Sequence, residues 1–249
     1  MSSRPDRGPS GASARAREAA RLAAEQADRR QRERRVLVAV VVAVVVLVVG
    51  GGIGVQAWRS NRAPSAAVPA TAVSEAPQQL TDGQPIRLGA AGAPVTVQLY
   101  EDFHCPHCAE FEEEFGPTLT AAQAAGTVQV ELYPMAFIDE GSTAASQAMA
   151  CAAEAGFGQR YYLGLFANHT LQWSQDQLLD LAGKVGGSTA EPFGTCVRTG
   201  AKAGWVTAIN AAAERNGVTG TPTLFLDGEP VQVSGLTPES LQAMIDAKR

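Results

Sequence analysis

Cysteine is scarce in this chain of 249 residues: there are four, and none precedes position 105. Such scarcity excludes a small scaffold held together by a dense set of disulfides. Cys105 and Cys108 have no second close pair to complete a structural zinc site, because Cys151 and Cys196 stand far apart. Covalent haem attachment needs a histidine directly after the second cysteine, and Ala109 is there instead. The first thirty-five residues lack lysine and almost anything apolar. They hold ten Arg and five acidic residues, a net charge of +5 that reads as a solvated basic arm over 1–35. Subtracting that +5 from the total of -5 leaves -10 for residues 36–249, which argues against nucleic acid as a partner of the main domain.

Only one stretch is long and wholly apolar. Val36 to Val55 contains no charged side chain and has the length of a transmembrane helix, enough to cross a hydrocarbon layer about 30 Å thick at 1.5 Å per residue. A cleaved signal peptide has a shorter apolar core and a brief leader, so an uncleaved anchor over 36–55 is expected. Arg29, Arg30, Arg32, Arg34 and Arg35 crowd its N-terminal flank, against Arg59 and Arg62 on the other side. The positive-inside rule then keeps the N-terminus in the cytoplasm and puts the catalytic domain outside, as a single-pass protein. The Ala-, Pro-, Ser- and Thr-rich stretch 56–83 reads as a flexible linker, followed by one domain over 84–249.

Within that domain Val95-Thr96-Val97-Gln98-Leu99-Tyr100 is a β-rich run leading into Cys105 and a Glu-rich helix. After Gly126, the run Thr127–Tyr133 alternates as a second strand, parallel to the first across a βαβ crossover. Thr223–Leu226 and Val231–Val233 flank Asp227-Gly228, a two-residue hairpin signal. Thr237 as N-cap with Pro238 at the first helical position opens a last helix. Between these units, about 142–216, the pattern is helical throughout, and Ser174–Gln177 and Ser188–Glu191 both fit the capping-box pattern. The fold class is therefore α/β, a βαβ and a ββα unit carrying a helical insertion, preceded by one transmembrane helix.

Cys105-Pro106-His107-Cys108 carries the chemistry. Cysteines three apart in a first helical turn share a face and can close a small reversible ring. Cys105 falls where unpaired N–H groups and the helix dipole favour negative charge, and Pro106 suits the first helical position. His104 and His107 bracket the nucleophile, and His107, between the cysteines, is expected to set the oxidising strength of the pair. Half of a zinc site and an inert structural disulfide stay open as alternatives at this point. Glu110, Glu112, Glu113 and Glu114 read as a solvated helical face. Cys151 and Cys196 both lie on apolar helical faces, so a structural disulfide between them is expected, with two buried free thiols as the alternative.

The run Leu99-Tyr100-Glu101-Asp102-Phe103-His104-Cys105-Pro106-His107-Cys108, with Gly217-Val218-Thr219-Gly220-Thr221-Pro222-Thr223 further on, resembles the DsbA-like thiol:disulfide oxidoreductases of thioredoxin fold. The likeness covers roughly Gln84 to Arg249 and is closest to membrane-anchored bacterial members. It implies that Cys105 attacks substrate, that Cys108 resolves, and that Thr221-Pro222 is a cis peptide packed against the pair, where it can bind a peptide as an added strand. It further implies oxidation of exported proteins with free thiols, and reoxidation by a membrane quinone-linked oxidase of the DsbB or vitamin K epoxide reductase type. No metal and no organic cofactor are implied. Some family members carry an acidic proton acceptor six residues before the first cysteine; that position is Leu99 here, and Glu101 and Asp102 read as the polar end of a strand. The rival functions are a disulfide isomerase or reductase, and a non-catalytic anchored module that presents Thr221-Pro222 to peptides.

Overall fold

The computed structural model describes residues 75–249. The basic arm 1–35, the apolar run 36–55 and the linker up to residue 74 lie outside the described residues. Among the described residues no helix is long and apolar enough to cross a membrane.

Five strands form one sheet. In chain order they are β1 (Ile86–Gly89), β2 (Val95–Asp102), β3 (Val128–Met135), β4 (Thr223–Leu226) and β5 (Glu229–Val231), and their spatial order is β1-β3-β2-β4-β5. The expected βαβ unit is present: β2 and β3 pair in parallel from Val95↔Val128 to Asp102↔Met135, joined by helix α1 (Pro106–Ala124). Strand β1, not anticipated from the sequence, runs antiparallel to β3. Its alternation covers only Ile86 and Leu88, too short to stand out from a Pro-containing tether. The Asp227-Gly228 turn has positive φ at both residues, 50° and 82°, the geometry of a tight hairpin, so β5 starts at Glu229 directly after it instead of at Val231.

Between β3 and β4 the chain is helical: α2 (Glu140–Glu154), α3 (Gly158–Phe166), α4 (Gln175–Lys184), α5 (Phe193–Thr199) and α6 (Ala203–Arg215). The last helix, α7 (Pro238–Asp246), starts as expected, with Thr237 accepting from Ser240 N–H. Ser174 caps α4 in a reciprocal capping box with Gln177. Ser188–Glu191 does not act as a cap: α5 begins only at Phe193, after a cis Glu191–Pro192 bond. Pro192 is the reason, since it lacks an N–H and keeps the residue before it out of the helical region.

The domain also starts earlier than the sequence suggests. Residues 75–83, read as tether, are fastened to it. Gln78 N–H donates to Ala153 O at 3.1 Å, Trp205 Nε1 donates to Thr81 O at 3.1 Å, and Glu75 pairs with Arg160 at 3.3 Å. Composition misses this because the partners, Ala153, Arg160 and Trp205, lie far away in sequence.

Cys151 of α2 and Cys196 of α5 are joined by a disulfide with a Cα–Cα distance of 5.9 Å. It ties two helices of the insertion across 45 residues, a closure for which loop entropy gives about 4 kcal/mol. Replacing both cysteines with Ala is expected to lower the unfolding free energy by up to about 4 kcal/mol, read as a lower denaturant midpoint, while leaving Cys105 and Cys108 reactive; an unchanged midpoint contradicts this.

Candidate active site

Helix α1 points its N-terminus at the end of the sheet where β2 and β3 finish. Cys105 is its N-cap in extended conformation, with no side-chain cap bond, and Pro106 opens the helix. The first turn carries no acidic residue, so its free N–H groups and dipole are uncompensated around Cys105. The glutamates begin only at Glu110, in the second turn.

Cys105 and Cys108 are free thiols, 7% and 0% exposed. The Cys105 thiol donates to Thr221 O at 3.6 Å, and the Thr221–Pro222 bond is cis. The loop before β4 therefore supplies a carbonyl to the outer sulfur. The two sulfurs differ sharply in environment. Burial pushes the Cys108 thiol far up, and Glu101, when ionised, pushes it further.

Glu101 is the site residue that sequence reasoning set aside. It follows Val95, Val97 and Leu99 on one face of β2 and is 1% exposed. The carboxyl beneath the cysteines thus sits two residues further along the same face as Leu99. Tyr162 of α3 donates its hydroxyl to Glu101 Oε2 at 2.6 Å. The same hydroxyl also interacts with Glu112 of α1, and the Oε1 atoms of Glu101 and Glu112 are buried without a protein partner. Burial, reinforced by Glu112, holds the Glu101 carboxyl well above the usual range, and burial raises Glu112 to about 7. Glu112 is thus corrected from solvated face to a half-buried acid whose Oε1 is shut off from water. Its signal was available, because Glu112 lies one turn after Cys108 on the same face of α1. Glu110, Glu113 and Glu114 are exposed, as read.

Asp102, the next residue, is fully buried, and both of its oxygens are used. Oδ1 accepts His104 N–H at 2.9 Å and the Ser142 hydroxyl at 2.6 Å, and Oδ2 accepts Phe137 N–H at 3.1 Å. Its carbonyl accepts Cys105 N–H at 2.9 Å. His107 projects outward, its side chain 78% exposed and Nδ1 3.0 Å from Glu110. Any charge on it is screened by water and offset by Glu110. Cys151 and Cys196 sit in the insertion, apart from the pair.

A buried helix-capping cysteine pair, beneath a cis-proline loop and above a buried acid on a mixed sheet, defines a thiol:disulfide oxidoreductase. The thioredoxin family model matches residues 81–247, and the chain belongs to that family. Solved structures agree in fold. MdbA, a thiol-disulfide oxidoreductase from Corynebacterium diphtheriae, matches with TM-score 0.58 and 26% identity over 72% of this chain and 95% of its own. Reduced DsbA from Mycobacterium tuberculosis matches with TM-score 0.58 and 23% identity, covering 66% and 92%. MdbA from Actinomyces oris matches with TM-score 0.60 and 22% identity, covering 69% and 91%. No curated relative matches the chain at a significant level.

Two outcomes follow. Asp102→Ala strips the acceptor from two backbone N–H groups and the Ser142 hydroxyl, and is expected to cost about 3 kcal/mol in urea unfolding; a loss below about 0.5 kcal/mol contradicts the role given to it. Glu112 takes up its proton more readily folded than unfolded, so its contribution to stability is full below pH 4.5 and is lost as pH rises to about 7. Glu101 acts with the same sign. Asp139, which the Ser142 N–H and His104 hold below the ordinary carboxylate range, acts only at lower pH. Glu112→Gln should therefore flatten the fall in stability between pH 4.5 and 7 by up to about 1.4 kcal/mol per pH unit. An unaltered pH profile contradicts the assignment.

Proposed function

We propose that the protein is an oxidase of cysteine pairs in exported polypeptides, working through a Cys105–Cys108 disulfide. The observation that carries this reading is the inequivalence of the two sulfurs, one at a helix N-cap and the other buried above an acid. A substrate thiolate attacks Cys105 Sγ, the Cys105–Cys108 bond breaks, and its electron pair leaves on Cys108. Cys108 then needs a proton, because burial disfavours its thiolate. Glu101, held protonated by its own burial, is the donor. A second substrate thiolate attacks the substrate sulfur of the mixed disulfide, expelling Cys105 as thiolate. Two electrons have then passed from the substrate dithiol to the enzyme, the two substrate protons having gone to solvent when its thiolates formed. Reoxidation runs the proton back through Glu101, and a membrane quinone-linked oxidase of the DsbB or vitamin K epoxide reductase type would accept the electrons.

Thr221 and Pro222 serve in this reading as the edge on which a substrate strand lies, and the exposed Phe137 and Ile138 offer apolar surface for the same polypeptide. His107 adds a solvent-screened field to the first helical turn. The apolar run 36–55 would anchor the protein in the cytoplasmic membrane with the basic arm inside, so that the catalytic domain meets polypeptides as they are exported.

The experiment is trapping. Cys108→Ala in cells should accumulate mixed disulfides with exported proteins on Cys105, seen as reducible high-mass bands, whereas Cys105→Ala should give none. Equal trapping by the two variants would overturn the assignment, and a purified protein that reduces insulin but oxidises no dithiol peptide would favour the reductase.

A further inference from the structure

His104, directly before the nucleophile, has a ring that is enclosed by acceptors. Its side chain is 7% exposed. Nδ1 lies 2.7 and 2.8 Å from the two carboxylate oxygens of Asp139, and Nε2 lies 2.9 Å from Leu171 O. A carbonyl oxygen can only accept, so Nε2 carries a hydrogen. Asp139 is itself the N-cap of α2, accepting Ser142 N–H at 2.8 Å, and this bond together with His104 favours its ionised form. An ionised carboxylate also only accepts, so Nδ1 carries a hydrogen too. Only the imidazolium satisfies both neighbours.

The space around the ring is built for it. A Cβ on Gly141, in the first turn of α2, would lie 2.1 Å from His104 Cε1 and 3.0 Å from Gln172 O. Glycine at 141 is therefore what lets the ring sit between α2 and the segment joining α3 to α4. The charged and titratable groups around it are Asp139 from the cap of α2, Asp102 from the end of β2, which takes the His104 backbone N–H, and Cys105 beside it in the chain. The α3–α4 segment offers the ring backbone oxygen, and its His169 turns back to Phe166 O. Asp139 balances the imidazolium charge, so the pair presents little net field to Cys105. Its effect is geometric.

What the ring holds is the rim of the active site. Residues 136–139 leave β3, carry Phe137 and Ile138 with 56% and 44% of their surfaces exposed, and end at Asp139. One end of this loop is fixed by Phe137 N–H on Asp102 and the other by Asp139 on His104. We propose that His104 is a positioning residue, a doubly donating imidazolium that ties the Phe137–Ile138 loop and the Leu171–Gln172 segment to the turn bearing Cys105. It thereby sets how well polypeptide thiols dock, without setting the reactivity of small thiols. This rests on the oxidase reading for its kinetic consequence, but not for the state of the ring.

The test uses the purified protein with nitrogen-15-labelled histidine and two variants. At neutral pH the His104 ring is expected to show protons on both nitrogens; a ring nitrogen without a proton overturns the proposal. Asp139→Asn keeps a good N-cap while removing the carboxylate, so α2 stays capped while the ring loses its ionised partner. His104→Gln and Asp139→Asn should both raise KM for a reduced, unfolded polypeptide about tenfold. Their kcat and their rate with glutathione should stay within about twofold of the parent, a change worth less than one hydrogen bond. Equal slowing of polypeptide and glutathione, or an unchanged KM in both variants, overturns the docking role. A parent protein that oxidises no thiol at all would refute the oxidase reading instead, while the ring spectrum would still decide the clamp.

Discussion

A buried carboxylate has to be given back the hydrogen bonds it loses with water, and the active-site end of this domain is organised around that demand at Asp102. Its two oxygens collect donors from the turn before the cysteines, from the loop after β3 and from Ser142 in α2, while its carbonyl holds the Cys105 amide. Three segments distant in sequence are thus referred to one point. The orientation of α1, the place of the Phe137–Ile138 loop and the seat of the helical insertion all follow from it.

From that fixed point the two sulfurs acquire opposite characters. Cys105 lies at the open end of a helix dipole, with a carbonyl of the cis-proline loop against it. Cys108, one turn deeper, is sealed over Glu101, which Tyr162 joins to Glu112. One hydroxyl between two carboxyls has a single proton to donate, so the cluster holds together best when at least one carboxyl is protonated, in accord with the raised Glu101 and Glu112. A disulfide joining such unequal sulfurs has a natural polarity: attack at the outer sulfur leaves charge on the inner one, next to a group able to neutralise it.

What was legible in the sequence was local. The spacing of Cys105 and Cys108, Pro106 at a helix start, the Asp227-Gly228 turn and the Thr237-Pro238 start of α7 each specify their conformation within a few residues. Glu101 was not legible. The alternation Val95, Val97, Leu99 suggests a strand ending in polar residues, and it is Tyr162, sixty-one positions later, that buries the carboxyl. His104 with Asp139, and Asp102 with Ser142, depend in the same way on where the helical insertion folds back. The Ser188–Glu191 pattern failed for the converse reason: the local rule was met, and a proline inside the expected first turn defeated it.

In the proposed oxidase this pair is held ready to give up its disulfide. Equilibrating the purified protein with defined ratios of reduced and oxidised glutathione, and counting free thiols on Cys105 and Cys108 after acid quench, measures it directly. The expected reduction potential is less negative than about -200 mV, in the range of proteins that donate disulfides. A value at or below about -270 mV, where thioredoxin lies, would contradict it.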